Sequence, residues 1–126
     1  MAGKLVLLVE PDEVLAKIYA QALCSKKYEV IHVTGAQAAV IAADDNRPDL
    51  VICELQLIGH SGIEFLYEFR SYADWQKVPV IVLTSVPPTE FSGSRDGLKE
   101  QLGVGNYLYK PATSLAQMLR IVEETL

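Results

Sequence analysis

The sequence is short of the features that mark several classes of protein. It has 2 cysteines in 126 residues, too few for a disulfide framework, and no metal-ligand spacing links Cys24 to Cys53. We therefore expect both cysteines to be small core residues of a protein from a reducing compartment. The 11 basic residues are outnumbered by 16 acidic ones, and no basic cluster offsets the net charge of -5. This balance argues against direct binding of nucleic acid.

Long hydrophobic runs are also missing. No apolar stretch approaches the roughly 18 residues that a membrane helix needs, and no signal peptide precedes the first predicted strand. We expect a cytoplasmic protein without membrane contact. Hydrophobic residues make up 50% of the chain and charged residues 21%, as in ordinary folded proteins. A chain of this length is predicted to form one domain, residues 1–126, around a single core.

The most informative segment is DLVICELQL, residues 49–57, an apolar run interrupted by one carboxylate. Its length, with Pro48 before it and Gly59 and Gly62 after it, predicts a strand buried on both faces. Glu54 then lies at the carboxyl edge of that strand. Open α/β sheets place their functional groups at this edge.

Strand patterns alternate with helix patterns along the whole chain. Further strands are predicted at residues 4–9, 28–33, 80–84 and 106–109, and helices at 12–25, 35–45, 63–72 and 114–125. Residues 85–105 are the least regular, because they contain Pro87-Pro88 and only 95–102 suit a short helix. The first helix has its apolar residues at Val14, Leu15, Ile18, Ala22 and Leu23. The alternation predicts a three-layer α/β/α fold with a five-stranded parallel sheet and helices on both faces.

Polar side chains follow the predicted strands where each strand ends. Because parallel strands share one carboxyl edge, Glu10, Asp12, Glu54, Thr84 and Lys110 should converge there. Each has an ordinary structural explanation on its own, and Asp12 in particular suits a helix N-cap. Their shared place at the ends of core strands favours a functional site.

Four segments together resemble a known family. LVLLVEPDEVLAKIY, DLVICELQLIGHSGIEFL, VPVIVLTS and NYLYKP, in this order, are similar to the response-regulator receiver domain of two-component signalling. The resemblance covers essentially the whole chain. It implies a flavodoxin-like parallel sheet with helices one and five on one face and helices two to four on the other.

The resemblance also implies roles for the residues at the sheet edge. In the family an aspartate after strand three accepts a phosphoryl group from a histidine kinase, and acids after strand one help to hold Mg²⁺. A hydroxyl residue and a lysine contact the phosphoryl group, a cis-proline follows the lysine, and an aromatic on strand five reports the state to partners. The matching positions are Glu54 for the acceptor, Glu10 for the first acid, Thr84, Lys110, Pro111 and Tyr107.

Three departures from the family pattern bear on this chemistry. Glu54 replaces the acceptor aspartate, Pro11 replaces the second acid, and Ile58 replaces a common proline. The extra methylene of glutamate moves its carboxylate roughly 1.5 Å outward, and a misplacement near 1 Å can slow a positioned reaction on the order of 10²-fold. Mg²⁺ requires oxygen ligands in near-ideal octahedral geometry, and Pro11 supplies no ligand where the family has an acid. The remaining acids, Glu10, Asp12 and Glu54, would therefore form a weak magnesium site or none. The pattern predicts a pseudo-receiver with impaired or absent phosphorylation, not an enzyme, whose partner is a histidine kinase or another signalling protein.

Two other hypotheses remain open at this point. The chain can be a working Mg²⁺-dependent receiver that is phosphorylated slowly or at another acid. It can also be a small enzyme or a nucleotide or flavin binder on the same fold. The turn from Glu10 to Glu13 disfavours the second hypothesis, because it lacks the glycines and hydroxyls that cradle phosphate.

Three structural expectations follow. The Lys110-Pro111 bond should be cis, as the resemblance implies. The fourth helix should be short or displaced, because Pro87-Pro88 cannot begin a long helix directly after Thr84. Glu54 should either reach toward Lys110 and Thr84, as a phosphoryl group would, or be solvated.

Overall fold

The chain folds into a five-stranded parallel sheet covered by helices on both faces. The computed structural model describes residues 3–91 and 95–126. The strands are β1 Leu5–Val9, β2 Glu29–Val33, β3 Leu50–Cys53, β4 Val80–Thr84 and β5 Val104–Tyr109. Their order in the sheet is β2-β1-β3-β4-β5, so the chain reverses its direction of winding once, between β2 and β3. The predicted fold class is therefore confirmed.

Five α-helices connect or follow the strands. They are α1 Glu13–Ser25, α2 Ala36–Asp45, α3 Gly62–Ser71, α4 Arg95–Leu102 and α5 Leu115–Thr125. Short 3₁₀ helices lie at Ala73–Trp75, Pro88–Phe91 and Lys110–Ala112. Sequence chemistry sets several of the boundaries. Ser114, for example, caps α5 in a reciprocal capping box with Gln117. Among the described residues, no helix is long and apolar enough to cross a membrane.

The pleat of the strands divides the core into two layers. On one face, Val6, Leu8 and Ile52 pack with Leu23 of α1 and Met118 of α5. On the other face the opposite side chains of the same strands pack with α2, α3 and α4. All four residues of β3 are buried, as expected for the central strand of a doubly covered sheet. The predicted distribution of helices over the two faces is confirmed.

The orientation of α1 differs from the prediction. Val14 is 71% exposed and Ile18 is 41% exposed, whereas Ala16 and Leu23 are buried. At 100° per residue these two pairs lie about half a turn apart on the helix. The small side chain of Ala16 faces the sheet, and the larger β-branched residues face solvent. Cys24 is also exposed, so the expectation of a core position is wrong for Cys24 and confirmed for Cys53.

The segment after β4 departs from a long regular helix, as predicted. A 3₁₀ helix begins at Pro88, and α4 has only 8 residues. Arg70 of α3 holds the far end of α4, because its Nε donates to the Leu102 carbonyl at 2.8 Å. Its other nitrogens donate to the Trp75 carbonyl at 2.7 Å and the Gly103 carbonyl at 3.4 Å. Residues 92–94 of the irregular stretch lie outside the described residues.

Candidate functional site: a closed acidic pocket at the sheet edge

The pocket forms where β1, β3 and β4 end side by side. The peptide N–H of Glu54 donates to the Val9 carbonyl at 2.9 Å, which continues the β1–β3 pairing and fixes Glu54 at the edge. Glu10 is 2% exposed, Glu54 is 3% exposed and Thr84 is completely buried. Burial of three polar side chains at one edge requires that each has hydrogen-bond partners.

Lys110 provides the central partner of both carboxylates. Its Nζ lies 2.6 Å from Glu10 Oε1 and 2.7 Å from Glu54 Oε1, with 13% of the lysine side chain exposed. The structure therefore brings together residues 100 positions apart, as parallel strand topology predicts. A partly buried cation that bridges two carboxylates leaves one formal negative charge in the pocket.

The second carboxylate, Glu54, is surrounded by donors. Its Oε2 accepts hydrogen bonds from the Leu55 N–H at 2.6 Å, from the Gln56 N–H at 3.1 Å and from the Thr84 hydroxyl. Its Oε1 accepts from Lys110, from the Ser85 N–H at 3.2 Å and from the Ser85 hydroxyl at 3.4 Å. Each oxygen thus accepts from three donors. The expected contact of Glu54 with Lys110 and Thr84 is present, and the solvated alternative is wrong.

These contacts stabilise the charged forms of the pair. Burial alone would raise the pKa of Glu54, but hydrogen bonds from Lys110, Thr84 and the Gln56 N–H outweigh it and lower that pKa below its ordinary value. Burial alone would lower the pKa of Lys110, but its hydrogen bonds to Glu10 and Glu54 raise that pKa instead. At neutral pH, therefore, Glu54 is an anion and Lys110 a cation.

Asp12 and Pro11 lie beside the pocket without completing it. Asp12 is exposed and its Oδ1 accepts from the Val14 and Leu15 N–H groups, so it is the N-cap of α1. Its own N–H donates to Glu10 Oε2 at 3.0 Å. The structure thus gives Asp12 the capping role and does not bring its carboxylate to Lys110. Pro11 contributes neither an oxygen side chain nor an N–H at this turn.

The pocket does not fit a magnesium ion of the kind that the resemblance implies. Within residues 3–91 and 95–126, no group of three His, Cys, Asp or Glu side chains lies close enough to hold a metal. The ammonium group of Lys110 contacts one oxygen of each buried carboxylate, and backbone or hydroxyl donors contact the other oxygens. The donors on Glu54 exceed the roughly four acceptor sites of a carboxylate, so its oxygens are not free to coordinate a hard cation.

The Lys110-Pro111 bond is trans, so the cis prediction is wrong. Residues Lys110–Ala112 form a 3₁₀ turn in which the Thr113 N–H donates to the Lys110 carbonyl at 3.2 Å. This turn starts directly after β5 and leaves the Lys110 side chain at the sheet edge. Pro111 itself is exposed and lies in the first turn of this 3₁₀ helix, a position that proline tolerates because it has no N–H to donate.

Tyr107 connects the pocket to the segment after β4. It is partly buried on β5, and its hydroxyl donates to the Val86 carbonyl at 2.7 Å. The Val86 N–H in turn donates to Thr84 Oγ1 at 3.1 Å. Thr84, Val86 and Tyr107 therefore form a continuous hydrogen-bonded path from Glu54 to the outer strand.

Two contributors were missed by the sequence analysis. Ser85 donates twice to Glu54, and its position directly after Thr84 at the end of β4 was the available signal. Gly62 starts α3 so close to the Glu54 peptide that a Cβ there would meet the Glu54 carbonyl oxygen at 2.4 Å. Only glycine permits α3 to begin at this distance.

Comparisons with known proteins agree on one family. The sequence model of the "Response regulator receiver domain" matches residues 6–123. The phosphate regulon transcriptional regulatory protein PhoB of Pseudomonas aeruginosa is 30% identical over 113 residues, which are 88% of this chain and 47% of PhoB. The chain therefore spans about half the length of this relative.

Two solved structures are similar over nearly their whole length. The chemotaxis response regulator CheY4 of Vibrio cholerae has a TM-score of 0.85 at 21% identity, covering 98% of this chain and 99% of CheY4. The receiver domain of the sensor histidine kinase PA1611 from Pseudomonas aeruginosa, with magnesium in its active-site cleft, has a TM-score of 0.79 at 29% identity. The respective coverages are 98% and 97%. The chain belongs to the response regulator receiver domain family.

Proposed function

We propose that the chain is a pseudo-receiver, a two-component signalling module in which the side chain of Glu54 replaces the phosphorylated aspartate. The observation that carries this proposal is the environment of the Glu54 carboxylate. It accepts from Lys110, from the Thr84 hydroxyl and from three backbone N–H groups while 3% exposed. These are the lysine and hydroxyl positions that the family pattern assigns to a phosphoryl group.

The same contacts explain why phosphorylation would be impaired. Glu54 is already paired, and both of its oxygens are covered by donors, so neither is exposed to a phosphodonor. A magnesium ion has no set of free carboxylates, since Pro11 stands at the second acidic position and Asp12 caps α1. The module would signal through its conformation and surface, in the cytoplasm, to a histidine kinase or another signalling protein. We propose neither an enzymatic activity nor direct binding of nucleic acid for this module.

Replacement of both departures tests the proposal directly. Glu54→Asp withdraws the carboxylate by roughly 1.5 Å and Pro11→Asp restores an acid, so the double variant should take up a phosphoryl group from acetyl phosphate in the presence of Mg²⁺. The unmodified protein should not. Intact mass measurement reports the product, and each single variant is the matched control. Phosphorylation of the unmodified protein at a rate similar to the double variant would favour the working receiver instead.

Magnesium affinity gives a second, independent measurement. Calorimetry should find binding in the millimolar range or weaker for the unmodified protein, because its carboxylates are paired with Lys110. The double variant should bind more tightly. Micromolar binding by the unmodified protein would contradict the proposal.

A further inference from the structure

A second surface feature lies between α2 and α3 and uses none of the pocket residues. It is a groove with a volume of about 520 Å³. Val40 and Ile41 of α2 and Phe65 of α3 form its apolar part, and Glu64 and Glu68 of α3 line its rim. Ile41 is 56% exposed although it is a large β-branched residue. We call this feature the α2–α3 groove.

The charged side chains around the groove are predominantly acidic. Its lining residues on α2 recur at a spacing of four, and that spacing continues to Asp44 and Asp45 in the last turn of the helix. Both aspartates are exposed, and this last turn has no basic residue. Carboxylates at a helix C-terminus are unfavourable, because they add to the negative end of the helix dipole. Among the described residues that line the groove, none is lysine or arginine.

Among the described residues, neither of the two arginines near this surface, Arg47 and Arg70, forms an ion pair with its carboxylates. Both donate to backbone carbonyls instead. Arg47 Nε donates to the Asp74 carbonyl at 3.0 Å. The guanidinium of Arg70 donates to the carbonyls of Trp75, Leu102 and Gly103. At one end of the groove, His60 Nδ1 lies 3.5 Å from Glu64 Oε2, and both side chains are largely exposed. The rest of the groove therefore has an apolar centre between acidic edges.

We propose that the α2–α3 groove docks a cationic amphipathic helix of a partner protein. The 10 residues of α2 are about 15 Å long, which matches about three turns of a docked helix. Apolar side chains at positions i, i+4 and i+7 of such a helix would contact Ile41 and Val40. Its lysines or arginines would face Glu64 and Glu68 on one side and the two aspartates of α2 on the other.

Charge complementarity selects this occupant over a second copy of the chain. The protein has a net charge of -5. Two copies that paired through this groove would place their acidic edges opposite one another, which opposes association. A cationic helix instead removes both the exposed apolar surface and the uncompensated charge.

The first experiment uses a synthetic Leu/Lys amphipathic helix of about four turns as the probe. Titrated into ¹⁵N-labelled protein, it should shift amide resonances of α2 and α3, with little change in α1 and α5. A scrambled peptide of the same composition, which has no apolar face, should bind at least about tenfold more weakly, because charge alone gives little affinity for this site. Equal binding by the scrambled peptide, or shifts concentrated on another face, would overturn the proposal.

Paired variants locate the contact. Ile41→Glu and the double charge reversal Glu64→Lys with Glu68→Lys should each weaken probe binding about tenfold or more, as expected when a central contact is lost. Val14→Glu is the matched control for Ile41→Glu, because Val14 is a β-branched residue of α1 that is 71% exposed. Glu123→Lys with Glu124→Lys on α5 is the control for the charge reversal. Both controls should stay within about twofold of the unmodified protein.

The amide spectrum of each variant also verifies its fold. Unchanged affinity in Ile41→Glu, with an intact spectrum, would refute docking at this groove. Sedimentation of the free protein tests the other occupant. A dimer that Ile41→Glu dissociates would assign the groove to a second copy and overturn the proposal.

Discussion

The ends of β1 and β3 each carry one buried glutamate, yet the two carboxylates have different surroundings. Glu10 accepts from Lys110 at one oxygen and from the Asp12 N–H at the other. Glu54 accepts from three donors at each oxygen. Both share the same cation, so the difference comes from the chain around them. The end of β3 is built to hold an anion, whereas the end of β1 mainly balances the charge of Lys110.

The largest expected effect comes from removing the cation that both glutamates share. Lys110→Met keeps much of the side-chain length but leaves the two buried carboxylates without a cationic partner. The free energy of unfolding should fall by about 3–5 kcal/mol, the usual effect of breaking a buried ion pair. Urea denaturation measures this, with Lys77→Met, an exposed lysine, as the control. A loss no larger than that of Lys77→Met would mean that the glutamates do not depend on Lys110.

Amide substitutions separate the two glutamates. In Glu54→Gln the new NH₂ group faces hydrogen-bond donors in either orientation of the amide. We therefore expect the free energy of unfolding to fall by about 2–3 kcal/mol. In Glu10→Gln the NH₂ faces a single donor in either orientation, and the loss of unfolding free energy should be about 1–2 kcal/mol. Glu54→Gln should also shift the amide resonances of Thr84 and Tyr107 more than Glu10→Gln does. Equal losses and equal shifts would remove the distinction between the two sites.

The dependence of stability on acidic pH also distinguishes Glu54, and we expect its effect on the free energy of unfolding to be smaller than that of the amide substitutions. The pKa of Glu54 in the folded state is lowered, because the hydrogen bonds from Lys110, Thr84 and the Gln56 N–H outweigh the effect of burial. The ionised Glu54 therefore stabilises the fold fully at any pH above the unfolded-state pKa of about 4.3. That stabilisation is lost as pH falls through the lowered pKa. Denaturation midpoints measured from neutral pH downward should fall less steeply in Glu54→Gln. An identical pH profile in the variant would contradict the assignment.

The alkaline side has the opposite sign. The pKa of Lys110 is raised by Glu10 and Glu54, so its stabilisation is complete below the unfolded value of about 10.4 and is lost as pH rises through the raised pKa. Lys110→Met should remove this part of the profile.

The smallest effect is expected at the end of the hydrogen-bonded path. Tyr107→Phe removes the donor to the Val86 carbonyl, and a loss of about 0.5–1.5 kcal/mol is typical of one neutral hydrogen bond. Amide shifts should extend from Val86 to Thr84. Tyr72→Phe, on an exposed tyrosine, is the control. Shifts confined to β5 would show that Tyr107 is not coupled to the pocket.

Much of this molecule could be predicted because its signals are local. Apolar runs and turn residues located all five strands, and β4 matched at both boundaries. The convergence of Glu10, Glu54, Thr84 and Lys110 followed from parallel topology alone. The short helix at Arg95–Leu102 was also predicted, because residues 95–102 are the only part of the irregular stretch that suits a helix.

The remaining features depend on packing that a sequence does not specify. The rotation of α1 depends on how closely the helix approaches the sheet, so Ala16 is buried in place of Val14. Asp12 could serve equally well as a cap or as a pocket acid, and the local N–H groups of α1 decided for the cap. The 3₁₀ turn at Lys110–Ala112 accommodates a trans proline, which the family resemblance did not indicate.

The attachment of α4 at one end has a mechanical consequence. Arg70 fixes the C-terminal end of this helix through the Leu102 and Gly103 carbonyls, and Tyr67 donates to Gln101 at 2.9 Å in the same turn. The helix begins at Arg95, whereas β4 ends at Thr84. The contacts from Arg70 and Tyr67 therefore restrain the C-terminal turn of α4 relative to α3, the helix from which both side chains come.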